Sequence, residues 1–159
     1  KIILATGDRP ENQALRPLVE GMNVDFFVGS EDNVLERFYQ AIDGYEGRYM
    51  LLMTCDNYLI QPDVIEGLHK AAKQHDAGYA YISPLSHFSG EIVRCDALRQ
   101  CYESGNYSLE AKEHVTWDIR KGSTNARIVS LPDNYLGIKH QNGYTLDTLQ
   151  DLLLSLIHI

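Results

Sequence analysis

Residues 49–56 read Tyr-Met-Leu-Leu-Met-Thr-Cys-Asp, an unbroken apolar run of strand length that ends on a carboxylate. A run without polar alternation predicts a central strand of a parallel sheet that is covered on both faces. In open α/β sheets, ligands lie beyond the carboxyl ends of the strands. Asp56 is therefore the first candidate for chemistry, and its hard oxygens would suit Mg²⁺ shared with a substrate's phosphates. The competing interpretation is that Asp56 only opens a turn or caps the next segment.

Strands and amphipathic helices alternate on both sides of this run, which is the pattern of crossover helices on a parallel sheet. Upstream, we predict a strand at residues 2–5, a helix at 12–19, a strand at 24–28 and a helix at 34–42. Downstream, a helix begins at Pro62, strands follow at 77–82, 91–94 and 126–131, helices lie at 97–103 and 109–120, and a last helix follows Asp147. The fold class predicted from this alternation is α/β.

The composition limits the classes of function. The 159 residues are 44% hydrophobic and 23% charged, which is average for a soluble globular domain and argues against a disordered or coiled-coil chain. No apolar run approaches the length of a membrane span. The net charge of −8 repels polyphosphate backbones and anionic membranes, so we expect no nucleic-acid or membrane partner. Three cysteines without Cys-x-x-Cys spacing indicate reduced thiols and a cytoplasmic location.

Two further positions could carry chemistry. Asp147 stands three residues before Gln150 at the start of an apolar helix, a spacing related to the capping box, so helix capping alone explains it. A capping carboxylate that faces a cleft can also reach a metal. His114 lies in a stretch predicted to be helical, where a single histidine is more often a core or surface residue than a catalyst. Cys95 and Cys101 are predicted to be small core residues.

Several motifs match one family as a set. Residues 28–39 read Val-Gly-Ser-Glu-Asp-Asn-Val-Leu-Glu-Arg-Phe-Tyr, close to the segment Gly-Ser-Glu-Asp-x-Val-Leu-x-Arg-Tyr/Phe of the cytidylyltransferases. Residues 5–15 resemble that family's second β-α unit, residues 54–62 its Thr-x-Asp-Cys-Pro-Leu-Ile-Asp-Pro, residues 113–116 its Glu-His-Val-Thr, and residues 145–151 its Thr-Val-Asp-Thr-Pro-Glu-Asp. Over residues 1–154 the chain thus resembles cytidylyltransferases of the spore-coat polysaccharide biosynthesis type, relatives of CMP-Kdo synthetase and acylneuraminate cytidylyltransferase.

The resemblance implies a Rossmann-like, GT-A-like nucleotidyltransferase fold of three layers with a mostly parallel sheet, and CTP bound over its carboxyl edge. Asp56 and Asp147 match the family's metal-binding aspartates, so both are expected to be catalytic and to hold Mg²⁺. The hydroxyl of a sugar or sugar acid would attack the α-phosphorus of CTP, and pyrophosphate would leave. Relatives are commonly dimers, so a homodimer is expected as well. The substrate-binding positions implied are Thr54, Ser89, Gly90, Glu91 and His114.

The chain departs from the family at its ends. It starts after the loop of the form Arg-x-x-Ser-x-Arg-x-Pro-Gly-Lys that wraps the nucleotide's phosphates. The domain at residues 1–154 is therefore expected to be incomplete at its N-terminus, and residues 155–159 are expected to be a tail foreign to the family.

Departures near the site leave more than one function open. Asn57 and Tyr58 replace Cys-Pro, and the sugar-side loop at Ser89 lacks the family's Arg. The leading hypothesis is an enzyme that activates a sugar or sugar acid for surface polysaccharide biosynthesis by transfer of CMP from CTP. The alternative is a catalytically degenerate member that binds a sugar or a protein. A sugar-transferring enzyme would normally carry an Asp-x-Asp pair, and residues 55–57 offer one carboxylate.

Overall fold

The computed structural model describes residues 1–83, 89–122, 126–129 and 145–157. In chain order the elements are β1 (Ile2–Gly7), a 3₁₀ helix (Pro10–Leu15), α1 (Arg16–Val19), β2 (Val24–Gly29), α2 (Val34–Ala41), β3 (Tyr49–Leu52), α3 (Pro62–Gln74), β4 (Tyr79–Ile82), β5 (Glu91–Arg94), α4 (Cys95–Glu103), α5 (Leu109–Glu113), α6 (Trp117–Gly122), β6 (Ala126–Val129) and α7 (Leu149–Ile157). Within those ranges, no helix combines the length and the apolar character needed to cross a bilayer.

The chain divides into two compact units, Lys1–Arg48 with Cys95–Ser123, and Tyr49–Arg94 with Thr124–Ile159. The first unit contains β1 and β2, which pair in parallel from Ile2 opposite Val24 to Gly7 opposite Gly29. Helix α2 packs on both strands. Its side chain Leu35 is fully buried, and burial of a leucine side chain contributes roughly 2 kcal/mol.

The helix predicted over residues 34–42 is confirmed as α2. Its N-cap is Asn33, whose Oδ1 accepts a hydrogen bond from the Glu36 amide at 3.1 Å. The helix predicted over residues 12–19 is wrong in type, because this segment forms a 3₁₀ helix followed by one α-helical turn. Pro17 lies inside it, lacks an N–H and clashes with the carbonyl four residues earlier, so a continuous α-helix is excluded.

The single helix predicted over residues 109–120 is also wrong. Helix α5 ends at Glu113 and α6 begins at Trp117, with His114 in a non-helical conformation between them. The Asp118 carboxylate accepts hydrogen bonds from the Ser108 amide at 2.6 Å and from its hydroxyl at 2.8 Å. A continuous helix would separate residues ten apart by about 15 Å. The break at His114 lets α6 fold back so that Asp118 reaches Ser108.

The second unit contains a four-stranded sheet in the order β3-β5-β4-β6. Strand β5 is antiparallel to both β3 and β4, and β4 is parallel to β6, so β3, β4 and β6 run in one direction and β5 opposes them. This mostly parallel α/β arrangement agrees with the sequence. The core of the unit joins the apolar face of α3 to the sheet and consists of Val64, Leu68, Ala72, Ala77, Ala80, Ile82 and Ile92.

The strand predicted over residues 49–55 is shorter than expected and is not central among the described strands. Strand β3 ends at Leu52 and stands at one end of the order formed by the described strands. Leu51 is 39% exposed, so the strand is not covered on both faces. An apolar run alone does not distinguish a central strand from an outer one. The chain leaves the sheet after Leu52, and residues 53–55 are exposed.

The last helix begins with a cap that differs from the sequence-based interpretation. The N-cap is Thr148, because its hydroxyl accepts from the Asp151 amide at 3.2 Å while the Asp151 carboxylate accepts from the Thr148 amide at 2.8 Å. This is a reciprocal capping box, one residue later than the predicted pair of Asp147 and Gln150. The predicted domain boundary after residue 154 falls inside α7. Residues 84–88 of the predicted polar loop and residues 130–131 of the predicted last strand lie outside the described residues.

Candidate functional site

Asp56 lies in a turn at residues 54–57, which we call the Asp56 turn. The Asn57 amide donates to the Thr54 carbonyl at 3.3 Å and closes the turn, which begins two residues after the end of β3. Asp56 thus does belong to a turn, as the competing interpretation held. The turn nevertheless follows the carboxyl end of β3, where ligands of α/β sheets bind.

The structure brings the segment of Asp147 to this turn, although about ninety residues separate the two aspartates in the sequence. Asn57 and Thr145 form an isolated antiparallel bridge. The Leu146 amide donates to the Asp56 carbonyl at 3.0 Å. Because Asp147 directly follows Leu146, these backbone bonds hold both predicted metal-binding aspartates beside the same bridge.

The carboxylates of the two aspartates have different surroundings. Asp56 is half-buried, and within the described part of the chain its Oδ1 atom is buried and has no hydrogen-bond partner. Asp147 is exposed, and its Oδ2 accepts from the Thr145 hydroxyl at 2.6 Å. A buried carboxylate oxygen without a donor is a costly arrangement that a bound cation would relieve.

Two aspartates fit a magnesium site shared with phosphates, since Mg²⁺ commonly uses one or two protein carboxylates and keeps its other positions for water and substrate. Among the described residues, no three His, Cys, Asp or Glu side chains gather into a cluster that would hold a metal unaided. The two carboxylates would suit a cation that keeps its remaining positions for phosphate oxygens and water.

The predicted sugar-side residues lie in the same unit, next to the end of β3. Glu91 pairs with Leu52 in the β3–β5 ladder, and its carboxylate accepts from the Tyr79 hydroxyl at 2.5 Å. Ser89 is fully buried, and its hydroxyl donates to the Gly90 carbonyl at 2.9 Å. Gly90 has φ +67°, and an added Cβ would stand 2.5 Å from the Leu52 carbonyl oxygen. Ser89 and Gly90 thus close a tight turn against β3, and their binding of substrate stays a prediction.

The other two predicted substrate-binding residues have fewer contacts. Thr54 is exposed, and its carbonyl begins the Asp56 turn. His114 belongs to the first unit, where it is exposed between α5 and α6 with its ring centroid 6.1 Å from that of Trp117. The role of His114 stays a prediction from the resemblance.

A second polar group stands at the carboxyl ends of β1 and β2, in the first unit. We call it the Glu31 cluster, formed by Gly7, Arg9, Asn12 and Glu31. The Glu31 carboxylate accepts from the Asn12 amide group at 2.9 Å and faces Arg9 Nε at 3.6 Å. It lies so close to Gly7 that an added Cβ would overlap it. Both segments that supply the cluster resemble family motifs, but no role was predicted for these residues. The available signal was a glycine at the end of one strand and a carboxylate after the next.

A cavity of about 610 Å³ opens elsewhere in the first unit. Lys1 and Val24, at the amino ends of β1 and β2, contribute to its lining. The cavity contains none of the predicted site residues. Because ligands of α/β sheets bind at the opposite, carboxyl ends of the strands, we do not assign it a role in catalysis.

Sequence comparison identifies two relatives. The chain is 30% identical to an uncharacterized protein of Methanocaldococcus jannaschii over 160 residues, which cover 98% of this chain and 64% of that protein. It is 26% identical to the spore coat polysaccharide biosynthesis protein SpsF of Bacillus subtilis over 154 residues, which cover 94% of this chain and 63% of that protein. The chain therefore spans somewhat less than two thirds of the length of these relatives. No family model matches it.

Structural comparison shows the same fold at low sequence identity. A cytidylyltransferase from Leptospira borgpetersenii superposes with a TM-score of 0.74 at 16% identity, over 94% of this chain and 64% of that one. A CMP:2-keto-3-deoxy-manno-octonic acid synthetase in complex with CTP superposes with a TM-score of 0.64 at 11% identity, over 97% of this chain and 80% of that one. These structures establish a Rossmann-like nucleotidyltransferase fold. The chain is thus similar in sequence to SpsF and in fold to a cytidylyltransferase and a CMP:2-keto-3-deoxy-manno-octonic acid synthetase.

Proposed function

We propose that this chain belongs to an enzyme that transfers CMP from CTP to the hydroxyl of a sugar or sugar acid, with release of pyrophosphate. The main support for the proposal is the backbone bonding between the Asp56 turn and residues 145–146. It brings the chain segments that carry Asp56 and Asp147 next to each other. The relationship to a spore coat polysaccharide biosynthesis protein supports a role in surface polysaccharide synthesis.

Asp56 and Asp147 would hold Mg²⁺ together with phosphate oxygens of CTP. A bound Mg²⁺ supplies charge neutralisation for the phosphates and for the departing pyrophosphate. The Asp56 turn fixes one carboxylate at the carboxyl end of β3, and the bridge to Thr145 fixes the segment of the other. The chain's own contribution is therefore positioning, and no covalent enzyme intermediate is required.

The partners proposed are CTP and a sugar or sugar acid, bound by a homodimer. We also propose a cytoplasmic location, since Cys55, Cys95 and Cys101 are all free thiols. The net charge of −8 is unfavourable for nucleic acids and anionic membranes.

The test is a calorimetric titration of CTP with Mg²⁺ into the 159-residue chain and into Asp56→Asn and Asp147→Asn variants. We expect each variant to lower the affinity for Mg²⁺-CTP at least about tenfold, because each removes a charged oxygen ligand. Asp63→Asn is the matched control, since Asp63 is an exposed aspartate of the same unit in the first turn of α3. Unchanged affinity in both site variants would contradict the metal assignment.

One observation favours the alternative, a catalytically degenerate member that binds a sugar or protein. Asp147 is exposed and its carboxylate is already engaged by the Thr145 hydroxyl. An assay of pyrophosphate release with a panel of sugars and sugar acids, run on the chain with Mg²⁺-CTP, separates the two functions. Turnover that Asp56→Asn abolishes supports the transferase, whereas sugar binding without turnover supports the degenerate member.

A further inference from the structure

The Asp56 turn contains two adjacent side chains that each bury an oxygen without a partner. Within the described residues, neither Oδ1 of Asp56 nor Oδ1 of Asn57 has a hydrogen-bond partner, and both atoms are inaccessible to solvent. A buried acceptor left without a donor costs about 1–3 kcal/mol. Two such acceptors in consecutive residues are unusual, because most buried polar groups of folded proteins are satisfied.

The backbone of the same turn is satisfied. The Asn57 amide is bonded to the Thr54 carbonyl, and the Asp56 carbonyl accepts from the Leu146 amide. The bridge between Asn57 and Thr145 adds a second tie to the segment of Asp147. Both residues are held by their backbones, and the two side-chain oxygens are buried atoms of this turn that the described part of the chain leaves without a partner.

A divalent cation is the partner that both oxygens have in common. Carboxylate and asparagine carbonyl oxygens are both ligands for hard cations such as Mg²⁺ and Ca²⁺. An amide oxygen contributes no charge, so adding Asn57 to the two aspartates increases the number of donors without raising the charge of the site. A neutral donor leaves the cation more positive toward the phosphates of a nucleotide than a third carboxylate would.

We propose that the side-chain oxygen of Asn57 is a ligand of the same divalent cation that Asp56 binds. The proposal rests on the proposed function, because it takes Asp56 as a metal ligand, and it extends that function to the next residue of the same turn. In the family pattern quoted above, Cys and Pro occupy the places of Asn57 and Tyr58. This chain therefore has an amide side chain, in place of a thiol, directly after the aspartate predicted to bind metal.

The experiment measures binding of Mn²⁺ alone to the 159-residue chain, with free Mn²⁺ followed by electron paramagnetic resonance. Asn57→Leu removes the oxygen at similar volume, and we expect about tenfold weaker binding. Asn57→Asp adds a charge at the same atom, and we expect about tenfold tighter binding, because ligand charge raises affinity for hard cations. Asn106→Asp, at an exposed asparagine of the first unit, controls for the added charge and leaves binding unchanged.

Thermal unfolding with and without Mn²⁺ is the second readout. A ligand that binds the folded state raises its stability, so Mn²⁺ should raise the unfolding temperature of the wild type more than that of Asn57→Leu. Without metal, Asn57→Leu should unfold no earlier than the wild type, because it removes a buried acceptor that has no donor. An equal rise in the unfolding temperature of the wild type and of Asn57→Leu on adding Mn²⁺ would overturn the proposal.

The Asp56→Asn variant separates failure of this proposal from failure of the proposed function. If Asp56→Asn abolishes Mn²⁺ binding while both Asn57 variants bind as the wild type does, the proposal for Asn57 is overturned and the metal role of Asp56 stands. If Asp56→Asn also leaves Mn²⁺ binding unchanged, the metal site itself is wrong. Should Asn57→Leu fail to fold, Asn57→Asp still decides, since unchanged affinity in that variant overturns the proposal.

Discussion

The Glu31 cluster and the Asp56 turn both follow the carboxyl ends of strands, yet their carboxylates have opposite surroundings. Glu31 accepts from Asn12 and faces Arg9, so its charge is compensated by neighbouring side chains. Asp56 holds a buried oxygen for which the described residues supply no donor. A carboxylate that the protein itself satisfies stabilises a loop, whereas one left without a donor is available to a ligand. The position at the end of a strand does not distinguish the two cases.

The largest effect should come from two glycines, Gly90 in the turn that packs against the end of β3 and Gly7 in the Glu31 cluster. In Gly90→Ala the new Cβ would meet the backbone oxygen of Leu52 at 2.5 Å, and φ +67° is strained for any L side chain. We expect a loss of about 3 kcal/mol in the free energy of unfolding. Gly7→Ala should lose only about 1 kcal/mol, because the Cβ meets the flexible end of Glu31, which can move away and lose its bond to Asn12.

Urea unfolding of both variants measures this difference. Gly67→Ala is the control, since its added Cβ meets nothing within 4 Å in the exposed middle of α3. It should gain about 0.5–1 kcal/mol from the better helix propensity of alanine. Equal losses for Gly7→Ala and Gly90→Ala would contradict the expectation that the Glu31 side chain can move away from the new Cβ.

A smaller effect is expected at the start of α7, where Thr148 is the helix cap and Asp147 is the candidate metal ligand. Thr148→Ala removes the hydroxyl that bonds to the Asp151 amide, which should cost about 1 kcal/mol. Asp147→Ala should cost less than about 0.5 kcal/mol, because Asp147 precedes the cap and its carboxylate contacts an exposed hydroxyl. Urea unfolding, followed by circular dichroism, reports both losses. A larger loss for Asp147→Ala than for Thr148→Ala would restore Asp147 as the cap.

The smallest effect concerns the rates of thiol modification, which report exposure of the Asp56 turn. Cys55 is exposed in that turn, whereas burial raises the pKa of the Cys95 and Cys101 thiols and keeps them protonated. With Ellman's reagent at pH 8 we expect Cys55 to react at least about tenfold faster than the other two. Cys55→Ser should remove the fast phase, and a fast phase that persists in this variant would contradict the exposure of the turn.

The raised pKa values of the Cys95 and Cys101 thiols predict how the stability of the fold changes with pH. Because the folded state holds the Cys95 and Cys101 protons more tightly than the unfolded state, the unfolded chain releases them first as the pH rises. Their contribution to stability is complete below the thiol pKa of the unfolded chain and is lost as the pH rises through the raised folded values. Stability should therefore decrease above about pH 9.

Most elements were predictable because their signals are local. Helix α2 was predicted from apolar residues at helical spacing, and β1, β2, β4 and β5 from short apolar runs bounded by turn residues. The errors occurred where the local pattern allowed more than one hydrogen-bonding arrangement. The helix predicted over residues 109–120 is broken because Asp118 bonds back to Ser108. The cap of α7 shifted by one residue because Thr148 and Asp151 form a reciprocal pair that Asp147 and Gln150 do not.

The sequence by itself determined the α/β class, the order of strands and helices and the motifs that resemble the cytidylyltransferases, since hydrophobic periodicity and side-chain chemistry are properties of the linear chain. Only the tertiary structure decided that β5 opposes its neighbours, that β3 ends at Leu52 and that the segment of Asp147 bonds to the Asp56 turn. Those features depend on backbone hydrogen bonds between residues far apart in the sequence. Such bonds form only when the chain has folded, and no local pattern records which partners they will join.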